Sequence, residues 1–288
     1  MKTLIFAVVV AALTIFSSSS RAADWGSIAG SVIQGTAQLA DAAKEITPSE
    51  EHYIGRAVAA MILAKYPLMN NPGLTRYLNE VGLLLAAVSD RPNTFGGYHF
   101  AVLNSEEPNA FACPGGIIFI NRGLLREIKN EDQLAGVLAH EVAHVADRHG
   151  IGAIKKSRWT KLGFYAAGEV GKNYTPDEVG QLVGEFQGVV TDVAKKVMDS
   201  GYSKSDEKHA DEAAVRFAWR AGYNPSELVE FVKVEEAKGV GHDQGPFASH
   251  PKPGQRIKLI EGELDAVGQG TTEAVRTARF KAAMAGLK

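Results

Sequence analysis

The run His140-Glu141-Val142-Ala143-His144 holds the residues best suited to do chemistry. On a helix, side chains four apart lie about 40° from one another around the axis, so both imidazoles project to the same side. They can share one metal ion. Glu141 falls beside the pair, near such an ion but badly placed to ligate it, which suits a general base acting on water. From Leu134 to Ala146 every residue except Gly136 and these three is apolar, on all sides of the helix. A helix of that kind is buried. Two imidazoles and a carboxylate inside it are costly unless something pairs with them, as a metal ion and its water would.

A catalytic zinc takes three protein ligands and keeps a fourth position open. Glu207 and Asp211 are again four apart and share a face with Ala214 and Ala218, whereas Lys208, Glu212, Arg216 and Arg220 fall on the opposite side. The first of the pair is the candidate third ligand. Asp211 then fixes the orientation of a ligand histidine. His149 and His209 lie on the far sides of their helices from these groups, so neither is expected to ligate. His52, His99 and His242 have no informative spacing. His250 stands in Ser249-His250-Pro251 at the end of a glycine-rich loop, with Arg256 following. A donor or a cation near a scissile carbonyl would stabilise a tetrahedral intermediate. On spacing alone, however, His250 reads as a surface-loop histidine.

These groups need two helices held in register. The first is bounded by Asn130 as N-cap, Glu131 and Asp132 in the first turn, Gln133 completing a capping box, and Gly150 as the stop. The second starts after Ser205 and ends at Gly222, with Pro225 beyond. Between them, residues 151–200 are helical in pattern but broken by glycines and by Thr175-Pro176-Asp177, which predicts a mobile helical flap over a cleft. Upstream, Thr47-Pro48 with Glu50 and Glu51 opens a helix that runs toward Lys65, and a second helix spans Pro72 to about Val88. Residues 98–104 and 117–121 are β-rich, and Pro114-Gly115-Gly116 favours a tight turn, so a small antiparallel sheet is expected. Helices at 226–237 and 254–265 and a polar tail, 266–288, complete the chain. The fold class is α+β: one mostly helical domain over 47–265 with a minor sheet.

The first 22 residues read as an address. Lys2 precedes the apolar run Leu4–Phe16, and Ser20-Arg21-Ala22 supplies small residues for cleavage after Ala22. A retained anchor is the alternative reading. Residues 23–46 are a flexible leader. Removing Lys2 and Arg21 takes the formal net charge from −2 to −4, spread evenly, which argues against a nucleic-acid surface. No later apolar run is long enough to cross a membrane. Cys113 is the sole cysteine, so an intramolecular disulfide is excluded and the fold rests on its core and a metal.

In these features the sequence resembles the gluzincin-type metallopeptidases grouped with HtpX and the CAAX prenyl proteases, and most of all their soluble periplasmic branch. The resemblance runs from about Thr47 to Leu264. It rests on the segment Asn109 to Gly116, on the two-histidine motif, on Glu207-x-x-Ala210-Asp211, and on Ser249-His250-Pro251 with Arg256. It implies a zincin-like domain and a zinc endopeptidase with one Zn2+ per chain. Asn109, Ala110, Phe111 and Ala112 would form an edge strand pairing with extended polypeptide substrate. His250 becomes a site residue, either a transition-state donor or a reversible fourth ligand, with Arg256 on the substrate side. Periplasmic members work in protein quality control near the outer membrane. The resemblance thus implies unfolded or misfolded exported proteins as substrates, and peripheral contact with outer-membrane assembly. A latent zinc protein that binds unfolded polypeptide without cleaving it is the alternative.

Overall fold

The computed structural model describes residues 46–154, 176–237, 253–268, 270 and 273–287. The expected signal peptide and nearly all of the leader lie outside them, as does His250. Helix α1 (Pro48–Lys65) opens on the expected signal: Thr47 and Glu50 cap one another's backbone, and Pro48 takes the first helical position. Helix α2 (Pro72–Ala87) is capped by Asn71, whose Oδ1 accepts from the Leu74 N–H at 3.1 Å.

Three strands follow: β1 (His99–Leu103), β2 (Ala110–Cys113) and β3 (Ile117–Asn121), in the order β1-β3-β2. The sheet is mixed, not purely antiparallel as expected. The turn at Gly115 and Gly116 does reverse the chain, with φ of +77° and +110°, but it joins β3 to the short strand β2. β1 therefore pairs with β3 in parallel. β2 is left as an edge. Its alternation is clear in the packing, with Ala110 and Ala112 in one hydrophobic cluster and Phe111 and Cys113 in the other.

Helix α3 (Arg122–Glu127) leads into α4 (Glu131–Ala146), which carries the two-histidine motif. After the described residues resume come α5 (Pro176–Lys195), a π-helical turn (Lys196–Ser200) and α6 (Lys204–Arg220), then α7 (Ser226–Ala237), α8 (Pro253–Val267) and α9 (Ala274–Met284). The larger cluster joins α2, α4, α6 and α7 to one face of the sheet. The smaller lies on the other face, where Ile54, Val58 and Ile62 of α1 share a core with Phe111, Phe119, Phe186, Val189 and Val193. The sheet is thus a thin layer between two helical ones.

Two expectations change. Of the segment 151–200 expected as a flap, residues 155–175 lie outside the described ones, but α5 is a core layer: Phe186, Val189, Val190, Val193 and Ala194 are all buried. The stretch expected as a polar tail is a docked element. Phe280 of α9 is buried in the main core, Arg276 donates to the Gly222 carbonyl at 2.7 Å, and Arg279 pairs with Glu131.

Candidate metal centre

Helix α4 is held at its start by groups the sequence announces. Asn130 Oδ1 accepts from the Gln133 N–H at 2.8 Å. The Gln133 side chain does not close the expected box on Asn130; it accepts from the Lys129 N–H at 2.9 Å and donates to Glu227. Glu131 and Asp132 are fully buried; Glu131 accepts from Tyr77 and Tyr223, and Asp132 Oδ1 takes the Asn224 N–H and Arg276. The helix stops at Ala146, four residues before Gly150, because Arg148 enters the left-handed region at φ 58°. Arg148 is anchored there by the Ile46 carbonyl at 2.5 Å and by Glu51 at 3.0 Å. Glu51, itself fully buried, also takes Arg91 and the Gly115 N–H, so one carboxylate ties α1, the end of α4 and the β2–β3 turn together.

Helix α6 starts one turn of chain away from the metal residues and slightly earlier than expected, with Ser203 and Asp206 forming a capping box. It packs directly on α4. The contact brings His140 Nε2 and His144 Nε2 to 3.1 Å from each other, and Glu207 oxygens to 3.5 Å and 3.6 Å from them. All three side chains are about 1 % exposed or less. A tetrahedral zinc with bonds of about 2.0–2.1 Å needs donors roughly 3.3 Å apart. The observed spacings match that edge length, and among the described residues these three form the one cluster able to hold a metal. Glu141 is buried on the same helix, 2 % exposed.

Behind the donors lies a chain of supports. Asp211 Oδ1 lies 3.0 Å from His140 Nδ1, so Nε2 is the nitrogen turned toward His144 and Glu207. Arg256 grips both oxygens of Asp211 at 2.9 and 2.7 Å. Burial alone would raise the Asp211 pKa, but Arg256 and His140 outweigh it and hold the carboxyl at about 2. His140 is likewise pulled down by burial and pushed further up by Asp211 and Glu207, to about 9, so a metal must displace a proton there. The expected placement of Arg256 on the substrate side is corrected: its side chain is 2 % exposed and spent on a buried carboxylate.

Two neighbours of His144 escaped the sequence reading. His149 Nδ1 lies 2.9 Å from His144 Nδ1, on the side away from Glu207. The helical-wheel angle had put it opposite the site, but the helix ends first and the turn at Arg148 swings it back. Tyr202 stacks on the His144 ring with centroids 3.9 Å apart and planes at 16°. No pattern in the sequence marks it beyond its place just before the α6 cap. His209 is exposed, on the outer face of α6. Asn109 is buried and its Oδ1 accepts from the Ala110 N–H at 2.9 Å. Ala110, Phe111 and Ala112 run along β2, which packs on α4.

Residues 72–264 match the profile of peptidase family M48. The chain is similar to the beta-barrel assembly-enhancing protease of Escherichia coli strain K12, 27 % identical over 274 residues that make up 89 % of this chain and 51 % of that protein. It is also similar to the mitochondrial metalloendopeptidase OMA1 of Schizosaccharomyces pombe, 30 % identical over 194 residues (65 % and 52 %). A third relative is the protease HtpX homolog of Thermococcus kodakarensis, 29 % identical over 149 residues (48 % and 50 %). The chain spans about half the length of these curated relatives. The profile match covers about two thirds of the chain, including all three residues of the donor cluster, and establishes that this chain belongs to peptidase family M48.

Proposed function

We propose that this chain is a zinc metalloendopeptidase that hydrolyses unfolded or misfolded exported proteins in the periplasm. The observation that carries the reading is the buried donor triangle of His140, His144 and Glu207 with Glu141 beside it, under an edge strand. Two histidines and a glutamate are the donor set of catalytic zinc sites that keep a position for substrate. Zinc held there would supply Lewis acidity, bringing the pKa of water toward ~7 and polarising a carbonyl. Glu141 takes the proton of the attacking water and hands it to the leaving amine. Asp211, backed by Arg256, keeps His140 in the tautomer that presents Nε2.

The edge of β2 that faces away from β3 orients the substrate. A strand edge offers main-chain hydrogen bonds that any extended chain can meet, so selection falls on extended, unfolded polypeptide more than on side-chain identity. The name of the Escherichia coli relative ties that protein to β-barrel assembly. This supports a place close to outer-membrane assembly for this chain as well. Among the described residues no helix is long and apolar enough to cross a membrane.

The test pairs metal content with turnover. The purified chain should bind one zinc, degrade denatured casein faster than a folded globular protein, and stop when a chelator removes the metal. Glu141→Gln should keep the zinc and lose at least ~10²-fold in rate. Full activity in zinc-loaded Glu141→Gln protein, or activity that survives chelation, would overturn the reading.

A further inference from the structure

The edge of β2 that the proposed function assigns to substrate is partly occupied by the chain itself. The Asn121 N–H donates to the Asn109 carbonyl at 2.9 Å, and the Gly116 N–H to the Cys113 carbonyl at 3.3 Å. Because antiparallel pairing alternates, residues 109, 111 and 113 direct their backbone groups at β3. The N–H and C=O groups of Ala110 and Ala112 therefore point to the open side, where an added strand would pair. On that side the π-helical turn Lys196–Ser200 runs close to β2. Just past it, the Tyr202 hydroxyl donates to the Ala112 carbonyl at 3.2 Å. The same ring lies flat on His144, and Lys196 Nζ sits 5.2 Å from its centroid. One phenol thus bridges a metal-site histidine and a backbone acceptor on the pairing edge.

We propose that Tyr202 is a substrate-competing residue whose hydroxyl stands in for a substrate N–H on the Ala112 carbonyl. The inference rests on the reading that β2 pairs with substrate, and adds which rung of that pairing the free protein satisfies internally. An unpaired strand edge invites indiscriminate association, and an internal donor is a direct way to blunt it. Tyr202 suits the task. It is partly exposed, and its hydroxyl reaches the Ala112 carbonyl from outside the sheet. Gly201 precedes it at φ 68°, a conformation that lets the chain turn sharply from the π-helical segment into the α6 cap. A polypeptide that extends across Ala112 must take this carbonyl over. At Ala110 an incoming peptide meets a different internal partner, the Asn109 Oδ1 that accepts from the Ala110 N–H at 2.9 Å, and not Tyr202.

The experiment measures peptide binding in the absence of turnover. Zinc-loaded Glu141→Gln and Glu141→Gln/Tyr202→Phe proteins are titrated with a fluorescent extended decapeptide, and with a series of the same peptide in which each backbone N–H is replaced in turn by an ester oxygen. Phenylalanine keeps the stack on His144 and removes only the hydroxyl. The double variant is expected to bind the all-amide peptide ~2–10-fold more tightly, the value of one net hydrogen bond. Zinc affinity should stay at the parent level. One ester position should cost more in the double variant than in the parent, marking the N–H that meets Ala112. Equal or weaker peptide binding with unchanged zinc would overturn the competition. Loss of zinc in Tyr202→Phe would overturn it too, by making the residue a support for His144. If no ester position weakens binding to either protein, strand pairing itself is wrong and the inference falls with it.

Discussion

Replacing Arg256 separates the structure's reading of this residue from the one its sequence context suggests. Its guanidinium is 2 % exposed and makes two charged hydrogen bonds, of 2.9 and 2.7 Å, to an Asp211 carboxylate that is fully buried. Hydrogen bonds to charged groups contribute about 1.5–3 kcal/mol each, so the pair represents roughly 3–6 kcal/mol. The independent comparison is the cost of leaving one partner of a buried pair uncompensated, about 3–5 kcal/mol. The two agree. Arg256→Ala should therefore lose about 3–5 kcal/mol of stability, which for a domain of this size lowers Tm by roughly 6–20 °C. Asp211 would also hold His140 less firmly, and zinc affinity should fall by about 10-fold or more. Arg256→Lys keeps the charge without the two-pronged geometry and should lie between the parent and Ala. Thermal unfolding of the metal-free protein and a competition titration with a zinc chelator measure both effects. An Arg256→Ala protein with parental Tm and zinc affinity, but a raised KM for casein, would refute the argument and return Arg256 to the substrate side.

Other expectations follow from the same geometry. His149→Phe should weaken zinc binding by about 10–100-fold with little change in fold, because it removes the group that faces His144 Nδ1; chelator competition checks this. Cys113 is fully buried and burial pushes its thiol far above the ordinary range, so a maleimide should label the native protein at a small fraction of its rate in denaturant. Gly55→Ala should be severely destabilising, since a Cβ there would lie 1.8 Å from the Pro114 carbonyl oxygen at the β2–β3 turn; soluble yield and Tm report it.

How much of this was legible depends on whether the cause is local. The two-histidine helix, its N-cap, and the shared face of Glu207 and Asp211 follow from helical periodicity and capping chemistry, which act over a few residues, and the donors meet as that periodicity requires. The mixed sheet was not legible, because β2 is only four residues long and its strand identity comes from being sandwiched between α1 and α4. α9 was hidden for a similar reason: its one buried aromatic, Phe280, carries too little apolar signal until Glu131 and the Gly222 carbonyl are there to receive its arginines. His149 shows the sharper lesson. Its angle was worked out on a helix that was assumed to reach Gly150. In fact Glu51, a residue nearly a hundred positions upstream, draws Arg148 into the left-handed turn that ends α4 early. That same carboxylate receives the Gly115 N–H, just past the end of β2. The register between the two-histidine helix and the β2 edge is thus set by a buried acid on a third element, which no inspection of either motif alone could supply.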